Sequence, residues 1–293
     1  MKCIQRTYIP GSQWVYFKIY TGKINSDELL LRHIAPTIRI LTKNKNIKKW
    51  FFIRYSDPDY HIRLRILAND IYSINNIIYC FYKKLMYCQT NGLIWKVQLD
   101  TYYRELERYG KELIEEAESI FHTDSKCILS ILKALGKNQQ YRWMISFKLV
   151  DSLLTDFSLD LNSKQQIMDS LDNDFKKEFG FHTYNMKQLN AKYREYRKII
   201  ETILENTSND SLFLKLYPPI KERSKNMSIV VKELHMKIEK ADTITSLHSL
   251  LKSYIHMMLN RLFCDKNRMH ELVIYNFMNR YYKSLIAKRT YKE

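Results

Sequence analysis

The apolar positions of the first hundred residues follow two different periods. Aromatic and β-branched residues, alternating or in short runs, predict four strands, at 14–20, 50–55, 61–67 and 93–102. Apolar residues that recur every three or four positions predict two helices, at 25–41 and 70–88, the first with a bend at Pro36. The resulting order, β-α-β-β-α-β, predicts a ferredoxin-like unit.

After residue 103 the helical period dominates. Helices are predicted near 104–121, 125–135, 138–156, 163–179, 185–206, 223–240, 243–263 and 267–287. Pro218-Pro219 and the stretch 206–210 interrupt this half. Because no flexible linker separates the halves, we predict an α+β fold. In it a ferredoxin-like part, residues 1–103, and a helical part, residues 104–293, share one core as one integrated domain.

Composition narrows the class of protein. With 293 residues, 45% of them hydrophobic, the chain is long enough to bury a substantial core. The five cysteines are widely spread without a C-x-x-C pair, which favours reduced thiols over a disulfide framework or a zinc site. Six glycines and the absence of nucleotide-binding motifs predict that the protein uses no cofactor. The first residues contain no apolar signal segment, so we predict a cytoplasmic protein.

The charge balance points to an anionic partner. The chain has 48 Lys and Arg against 31 Asp and Glu, a formal net charge of +17. A surplus of this size attracts nucleic acid, anionic lipid or an acidic peptide. It is equally explained by the residue usage of an AT-rich genome.

Three clusters of polar residues are candidates for chemistry, and the first lies on the predicted hairpin. On its return strand His61, Arg63 and Arg65 fall on one face, since side chains alternate along a strand. Two guanidinium groups beside an imidazole can bind a carboxylate or a phosphate. The alternative is an exposed sheet face with ordinary solvated charges.

The second cluster follows the last predicted strand. If this stretch is helical, Arg104 and Arg108 share a face and can pair with Glu107 and Glu105. The alternative is a ladder of surface ion pairs. Further along, Asp124 can serve as the N-cap of a helix.

The third cluster lies within an apolar helix near the C-terminus. His256 and Asn260 are four residues apart, hence on one face, and Arg261 is adjacent. Histidine is the usual proton carrier at neutral pH. A single histidine on an apolar helix is also compatible with a purely structural core position.

Together these clusters resemble the C-terminal elimination domain of lantibiotic dehydratases, which also occurs as a free-standing thiopeptide-type bacteriocin biosynthesis protein. The resemblance extends in the family's order from residue 14 to about residue 261, although 126–240 matches only in being helical. The resemblance implies that the step carried out by the large glutamylating domain, which precedes this domain in full-length relatives, belongs to another chain. The matching stretches are W14-V-Y-F-K-I-Y20, W50-F-F-I-R-Y-S-D-P-D-Y-H-I-R-L-R65, T101-Y-Y-R-E-L-E-R-Y-G110, A117-E-S-I-F-H-T-D-S125 and S253-Y-I-H-M-M-L-N-R261.

The resemblance implies a lyase that acts on a ribosomally made precursor peptide. It would remove the α-proton and expel glutamate from glutamylated Ser or Thr, leaving dehydroalanine or dehydrobutyrine. It implies His256 as the acid or base, with Arg65 and Arg104 holding the glutamyl adduct. The other residues that it implies for substrate binding are Arg54, His61, Arg63, Arg108, Asn260 and Arg261. The implied partners are the precursor peptide, a separate subunit that glutamylates it from glutamyl-tRNA, and a second copy in a homodimer.

The sequence leaves three alternative functions open. Some free-standing relatives are thiopeptide cyclases that join two dehydroalanines by a formal [4+2] cycloaddition. Others take part in adding amino acids to peptides from aminoacyl-tRNA. A basic sheet could also be a non-catalytic module that binds RNA or a leader peptide, although Arg and His rather than aromatics occupy one face of the strand at 61–65.

Overall fold

The computed structural model describes residues 4–180, 182–240 and 246–290 of the chain. Its strands form two antiparallel sheets, one of two strands in the order β1-β6 and one of four in the order β3-β4-β2-β5. The strands are β1 Thr7–Tyr8, β2 Trp14–Thr21, β3 Ile47–Ser56, β4 Tyr60–Ala68, β5 Ile94–Leu99 and β6 Tyr102–Tyr103.

Helices make up the rest of the regular structure. A π-helical segment, Leu29–Ile34, joins the first two of them. Such a segment precedes Pro36, which has no N–H to donate to the preceding turn. The helices are α1 Ser26–Glu28, α2 Ala35–Lys43, α3 Ile71–Thr90, α4 Leu106–Tyr109, α5 Ile114–Leu135, α6 Tyr141–Asp156, α7 Leu161–Glu178, α8 Thr183–Leu204, α9 Ser211–Lys240, α10 Leu247–Leu262 and α11 Asn267–Thr290.

The predicted α+β class is confirmed, and the large sheet with its helices has the predicted element order β-α-β-β-α-β. The ferredoxin-like assignment of this unit stays a prediction. Buried apolar side chains from before and after residue 103 belong to one contiguous cluster. Within the described residues, no helix is long and apolar enough to cross a membrane. Cys3 and residues 243–245 of one predicted helix lie outside the described residues.

The predicted division of the chain between 104 and 135 is wrong. A short helix, α4, ends at Gly110, and one continuous helix, α5, replaces the two that were expected. Asp124 is therefore not an N-cap, because it lies in the middle of α5 and is fully buried. Its carboxylate pairs with Arg223 of α9, 2.7 Å away, which explains an acidic residue in the interior of a buried helix.

Pro218 and Pro219 do not interrupt the helical half, contrary to the prediction. They lie within α9, which begins at Ser211 rather than near residue 223. Leu216 and Ile220, which flank the two prolines, are buried, as is Met227 two turns further on. Burial of this apolar side against the core therefore outweighs the local cost of the prolines.

Strand β3 is at one edge of the large sheet, and side chains of the helical part satisfy that edge. Alternate residues of an edge strand direct their backbone N–H and C=O groups outward, and here side chains of α5 and α10 contact three such residues. His122 Nδ1 lies 2.9 Å from the carbonyl of Trp50, to which it can donate. Asn260 of α10 donates from its amide nitrogen to the carbonyl of Arg54, 2.9 Å away. The outward N–H donors are Phe52 N to Ser125 Oγ at 3.2 Å and Arg54 N to Asn260 Oδ1 at 2.9 Å.

We predict that Asn260→Ala destabilises the protein, because it leaves the N–H and C=O of Arg54 without these partners. Each unsatisfied buried polar group costs roughly 1–3 kcal/mol. Chemical denaturation should therefore give a free energy of unfolding lower by about 2 kcal/mol or more. Asn226→Ala, at an exposed position of α9, is the matched control. Equal stability of the two variants would contradict this role of Asn260.

Candidate active site

The predicted basic face of β4 exists, but it is largely buried rather than solvated. His61 is fully buried and Arg65 is 8% exposed. Opposite them on β3, the same sheet face carries Phe51, which pairs with Arg65, and Tyr55, which pairs with His61. The interpretation of this face as an ordinary exposed surface is therefore wrong for His61 and Arg65.

Arg65 is a buried cation without an anion. Among the described residues its guanidinium makes no hydrogen bond or salt bridge, and its Nε is enclosed without a partner. Three aromatic rings surround it instead, with centroids 4.7 Å (Tyr16), 4.8 Å (Tyr102) and 5.5 Å (Phe51) away. Aromatic faces attract a guanidinium but do not replace its hydrogen bonds. Arg65 is thus ready to accept an anionic ligand.

A small cavity adjoins this guanidinium. Its volume is about 20 Å³, room for a group of the size of one water molecule. We call it the Arg65 cavity. Strands β3, β4 and β6 and helices α4, α5 and α10 contribute to its lining. The lining residues are Phe51, Ile53, Arg65, Tyr102, Tyr103, Glu105, Tyr109, Ile114, Phe121 and Met257.

Arg104, in contrast, is already paired within the protein. Its Nε and one terminal nitrogen each lie 2.7 Å from an oxygen of Glu118, a bidentate contact with a buried carboxylate. The hydroxyl of Tyr102 donates to the same carboxylate over 3.0 Å. Burial alone would lower the pKa of Arg104, but the hydrogen bonds and charge of Glu118 outweigh it and raise that pKa. Arg104 therefore fixes Tyr102, whose ring faces Arg65.

His256 is held by a carboxylate. Its Nδ1 lies 2.6 Å from Oε1 of Glu271, a fully buried residue of α11. Arg268 contacts the other oxygen of Glu271 at 3.0 Å. A carboxylate at Nδ1 selects the imidazole tautomer with the proton on that nitrogen and leaves Nε2 with its lone pair. His256 and Glu271 thus have the arrangement of a general base and its orienting acid.

His256 lines a second cavity, of about 230 Å³, which we call the His256 cavity. Tyr55 lines the His256 cavity, while Ile53, two residues earlier on the same face of β3, lines the Arg65 cavity. His256 and Met257 are adjacent on α10 but face different cavities. Arg65 and His256 therefore line different cavities. At about 3.4 Å per residue, Phe51 and Tyr55, which line these two cavities from one face of β3, lie roughly 14 Å apart.

Four further residues expected to bind substrate have partners inside the protein. Arg54 is buried and contacts Asp27, Ser26 and Tyr60. Asn260 pairs with the backbone of Arg54, as described above. The remaining contacts are His61 Nδ1 to Asp59 O at 2.8 Å, Arg63 Nε to His61 Nε2 at 3.1 Å and the Arg63 guanidinium to the Tyr55 ring at 3.4 Å.

The histidine of this group is neutral. Burial is the main cause that lowers the pKa of His61, and the charge of Arg63 lowers it further. A neutral ring can donate from Nδ1 and accept at Nε2, which matches its two contacts. His61 thus holds Arg63 in position against the sheet.

Arg108 and Arg261 connect the site to α10. Arg108 donates to the hydroxyl of Ser253 over 3.1 Å. Arg261 is fully buried and donates to Ser125 and to the carbonyl of Met257. Burial lowers the pKa of Arg261 to about 10. One terminal nitrogen of Arg261 has no partner, so a second incompletely satisfied guanidinium lies near the Arg65 cavity.

Sequence reasoning missed the acidic partners of these arginines and histidines. Glu118 lies within a stretch that carried the resemblance, yet only helical register over α5 could have shown that it points inward. Glu271 and Asp27 gave no signal, since a single acidic residue on a helix normally faces solvent. Arg223, which pairs with Asp124 and Asp156, was also missed, because a single charged residue on a helix normally faces solvent.

The structure is that of an α+β protein. Its candidate site contains a buried arginine that has no anionic partner among the described residues and a histidine bound to a carboxylate. The sequence profile described as "Lantibiotic biosynthesis dehydratase C-term" matches residues 14–282. This chain belongs to that family, which confirms the resemblance seen in the sequence.

Curated relatives agree with the family. The chain is 28% identical over 278 residues to the nisin biosynthesis protein NisB of Lactococcus lactis subsp. lactis, which covers 92% of this chain and 26% of NisB. It is 28% identical over 269 residues to the subtilin biosynthesis protein SpaB of Bacillus subtilis, which covers 88% of this chain and 24% of SpaB. The chain thus spans about a quarter of the length of these relatives.

Two solved structures share the fold. The tRNA-dependent lantibiotic dehydratase MibB of Microbispora sp. 107891 matches with a TM-score of 0.75 at 18% identity, over 95% of this chain and 29% of MibB. The pyridine synthase TbtD from thiomuracin biosynthesis matches with a TM-score of 0.65 at 10% identity, over 93% of this chain and 98% of TbtD.

The pair of arginines on Asp27 predicts a pH dependence of stability. Although burial alone would raise it, the charges of Arg54 and Arg142 hold the pKa of Asp27 below the model-compound value of 3.8. A carboxylate with a depressed pKa stabilises the fold fully above its unfolded-state pKa, and this contribution is lost as the pH falls through the folded-state value.

We therefore expect the stability of the unmodified protein to fall more steeply below about pH 5 than that of Asp27→Asn. At neutral pH the variant should be the less stable of the two, because two buried guanidinium groups lose their anion. Denaturant unfolding at a series of pH values measures both effects. Parallel stability curves for the two proteins would contradict the assigned pairing.

Proposed function

We propose that this chain is a lyase that eliminates glutamate from glutamylated Ser or Thr residues of a precursor peptide. Its membership in the dehydratase C-terminal family supports a role in peptide dehydration. Two curated relatives are, by name, nisin and subtilin biosynthesis proteins, and MibB is titled a tRNA-dependent lantibiotic dehydratase. The step then requires an activity that first esterifies the peptide with glutamate, and a separate subunit would supply it.

The observation that carries the proposal is the unpaired guanidinium of Arg65. A buried cation without an anion is costly unless a ligand completes it, and glutamate brings a carboxylate that a guanidinium can bind bidentately. Arg261, with one unsatisfied nitrogen, adds positive charge nearby. In this proposal Arg104 is a positioning residue, which acts by holding Glu118 and Tyr102 against the Arg65 cavity.

The proton transfer falls to His256. Its Nε2 takes the Cα proton, the electron pair of that C–H bond forms the Cα=Cβ double bond, and the Cβ–O bond breaks to release glutamate as its carboxylate. Glu271 stabilises the imidazolium that forms, as the acid of a His–Asp pair does. The substrate would lie along the sheet face that joins the Arg65 and His256 cavities. His61, Arg63 and Arg108 would shape that face. Arg54, on the opposite face of β3, would act through its contacts with Asn260.

A pyridine-forming cyclisation is the second candidate. It is favoured by the match to TbtD, of which 98% is covered, whereas this chain covers 29% of MibB. A cyclase has no need of a free arginine for a glutamate leaving group, so Arg65 favours elimination. A homodimer remains a hypothesis. A non-catalytic peptide- or RNA-binding module is a further one, which the assays below also address.

We predict that Arg65→Gln lowers the rate of glutamate loss at least about thirtyfold, since truncating a buried charged contact costs about 2 kcal/mol or more. A precursor peptide that already carries a glutamyl ester is incubated with the protein, and mass spectrometry follows the conversion of ester to dehydrated residue. Arg194→Gln, at an exposed position of α8, should retain full activity.

Three results would count against elimination. An unchanged ester with the unmodified protein would exclude it. Equal rates for the two arginine variants would contradict the role of Arg65, the observation on which the proposal depends. Conversion of a peptide with dehydroalanines already in place would favour the cyclase. A non-catalytic module would show neither reaction, and its peptide affinity would fall steeply with salt.

We further predict that Glu271 acts through His256. His256→Ala should lower the elimination rate about 10²- to 10⁴-fold, the usual contribution of a general base. Glu271→Gln keeps the shape of the side chain but removes its charge, and it should lower the rate as well. The double variant should be no slower than His256→Ala alone, because residues that act as a unit are not additive. Additive losses would mean that Glu271 serves the fold alone.

A further inference from the structure

A further cavity lies away from the Arg65 and His256 cavities. It is a groove of about 1110 Å³, and it shares no lining residue with the Arg65 or His256 cavity. Residues 27–43, which include α2, form one wall. The C-terminal half of α5 and the loop after it, residues 126–139, form the other. We call it the α2–α5 groove.

Both walls carry basic side chains at helical spacing. Arg39 and Lys43 are four residues apart on α2, and Lys126 and Lys133 are seven apart on α5, so each pair shares one face of its helix. Lys137 follows just after α5. All five side chains are exposed, and among the described residues none of them makes an ion pair.

The two carboxylates in the lining do not neutralise these cations. Asp27 pairs with Arg54 and Arg142, and Glu28 pairs with Arg32 over 3.2 Å. The groove is therefore an uncompensated positive site. Such a surface attracts acidic groups from solution.

The floor between the two basic walls is apolar. It consists of side chains that are buried or half-buried in the free protein, so an occupant with apolar groups would cover further hydrophobic surface there. The apolar residues of the lining are Leu31, Ala35, Pro36, Ile38, Trp50, Leu129 and Leu132.

We infer that the α2–α5 groove binds an acidic amphipathic peptide segment, with its apolar side chains on the floor and its carboxylates against the two basic walls. A groove of this volume exceeds that of a typical small-ligand pocket. An amphipathic segment laid into an apolar groove is a common mode of peptide recognition. Single-stranded nucleic acid is less suitable, because Trp50, the one aromatic residue of the lining, is only 5% exposed and offers no stacking surface. The inference does not depend on the elimination chemistry.

The test is fluorescence anisotropy with a labelled synthetic peptide of Glu and Leu in a helical repeat. Two control peptides separate the contributions: in one, Gln replaces Glu, and in the other, Ser replaces Leu. We expect the Glu–Leu peptide to bind, more weakly as salt increases, and both controls to bind at least about tenfold more weakly.

Charge reversal locates the binding. The variant Arg39→Glu, Lys126→Glu, Lys133→Glu should bind the Glu–Leu peptide at least about tenfold more weakly. The matched control Arg194→Glu, Lys187→Glu, Lys192→Glu makes the same change of charge on exposed positions of α8 and should bind as the unmodified protein does. Since all six positions are exposed, thermal unfolding should show both variants folded.

Several outcomes would overturn the inference. Equal losses in the two triple variants, or equal binding of the peptide with Ser in place of Leu, would indicate adsorption to net charge alone. Tighter binding of a mixed-sequence single-stranded RNA, lost in the groove variant, would assign the groove to nucleic acid. No binding of the Glu–Leu peptide at low salt would exclude the site.

Discussion

A buried guanidinium must find an anion or an equivalent set of acceptors, and this constraint organises the whole molecule. Three ion pairs meet it, Arg104 with Glu118, Arg54 with Asp27 and Arg223 with Asp124. Each pair joins segments that are distant in sequence or belong to different layers. The ion pairs thus fix where the helices lie against the sheet. Removing one partner of such a pair would strongly destabilise the fold, because the other charge would remain buried without compensation.

Arg65 departs from this pattern, and the proposed chemistry depends on that departure. It lies among aromatic rings beside a cavity, with no internal anion among the described residues. The neighbouring pair of Arg104 and Glu118 keeps Tyr102 in position against it. Arg104, Arg54 and Arg223 each have a carboxylate partner, whereas Arg261 has only neutral acceptors. In our proposal Arg65, which has neither among the described residues, binds a carboxylate that comes from outside.

Polar groups are also satisfied by side chains at the edge of the large sheet. On β3, side chains from α5 and α10 occupy outward N–H groups that would otherwise be available to another strand. Because Asn260 holds Arg54 by its backbone and His256 lies one turn earlier on the same face of α10, this pairing also sets the position of the proposed base. Tertiary packing and proposed chemistry therefore depend on one helix. The α2–α5 groove, on different residues, is open to a separate binding role.

Much of this architecture is present in the sequence. The alternation of apolar and polar residues along 61–67 predicts a strand of the large sheet, and the spacing of apolar residues in the neighbouring segments predicts its other strands and the helices beside it. Both patterns are local properties of strand and helix. The motif stretches also gave the family and the residues Arg65, Arg104 and His256. The boundaries of α5 and α9 did not follow, because long-range burial overrode the local signals at Asp124 and at Pro218-Pro219. The sequence by itself identified the arginines and the histidine of the candidate site. Only the tertiary structure decided which are paired. Glu118 reaches Arg104 and Glu271 reaches His256 through contacts between separate segments, while no carboxylate of the described residues reaches Arg65.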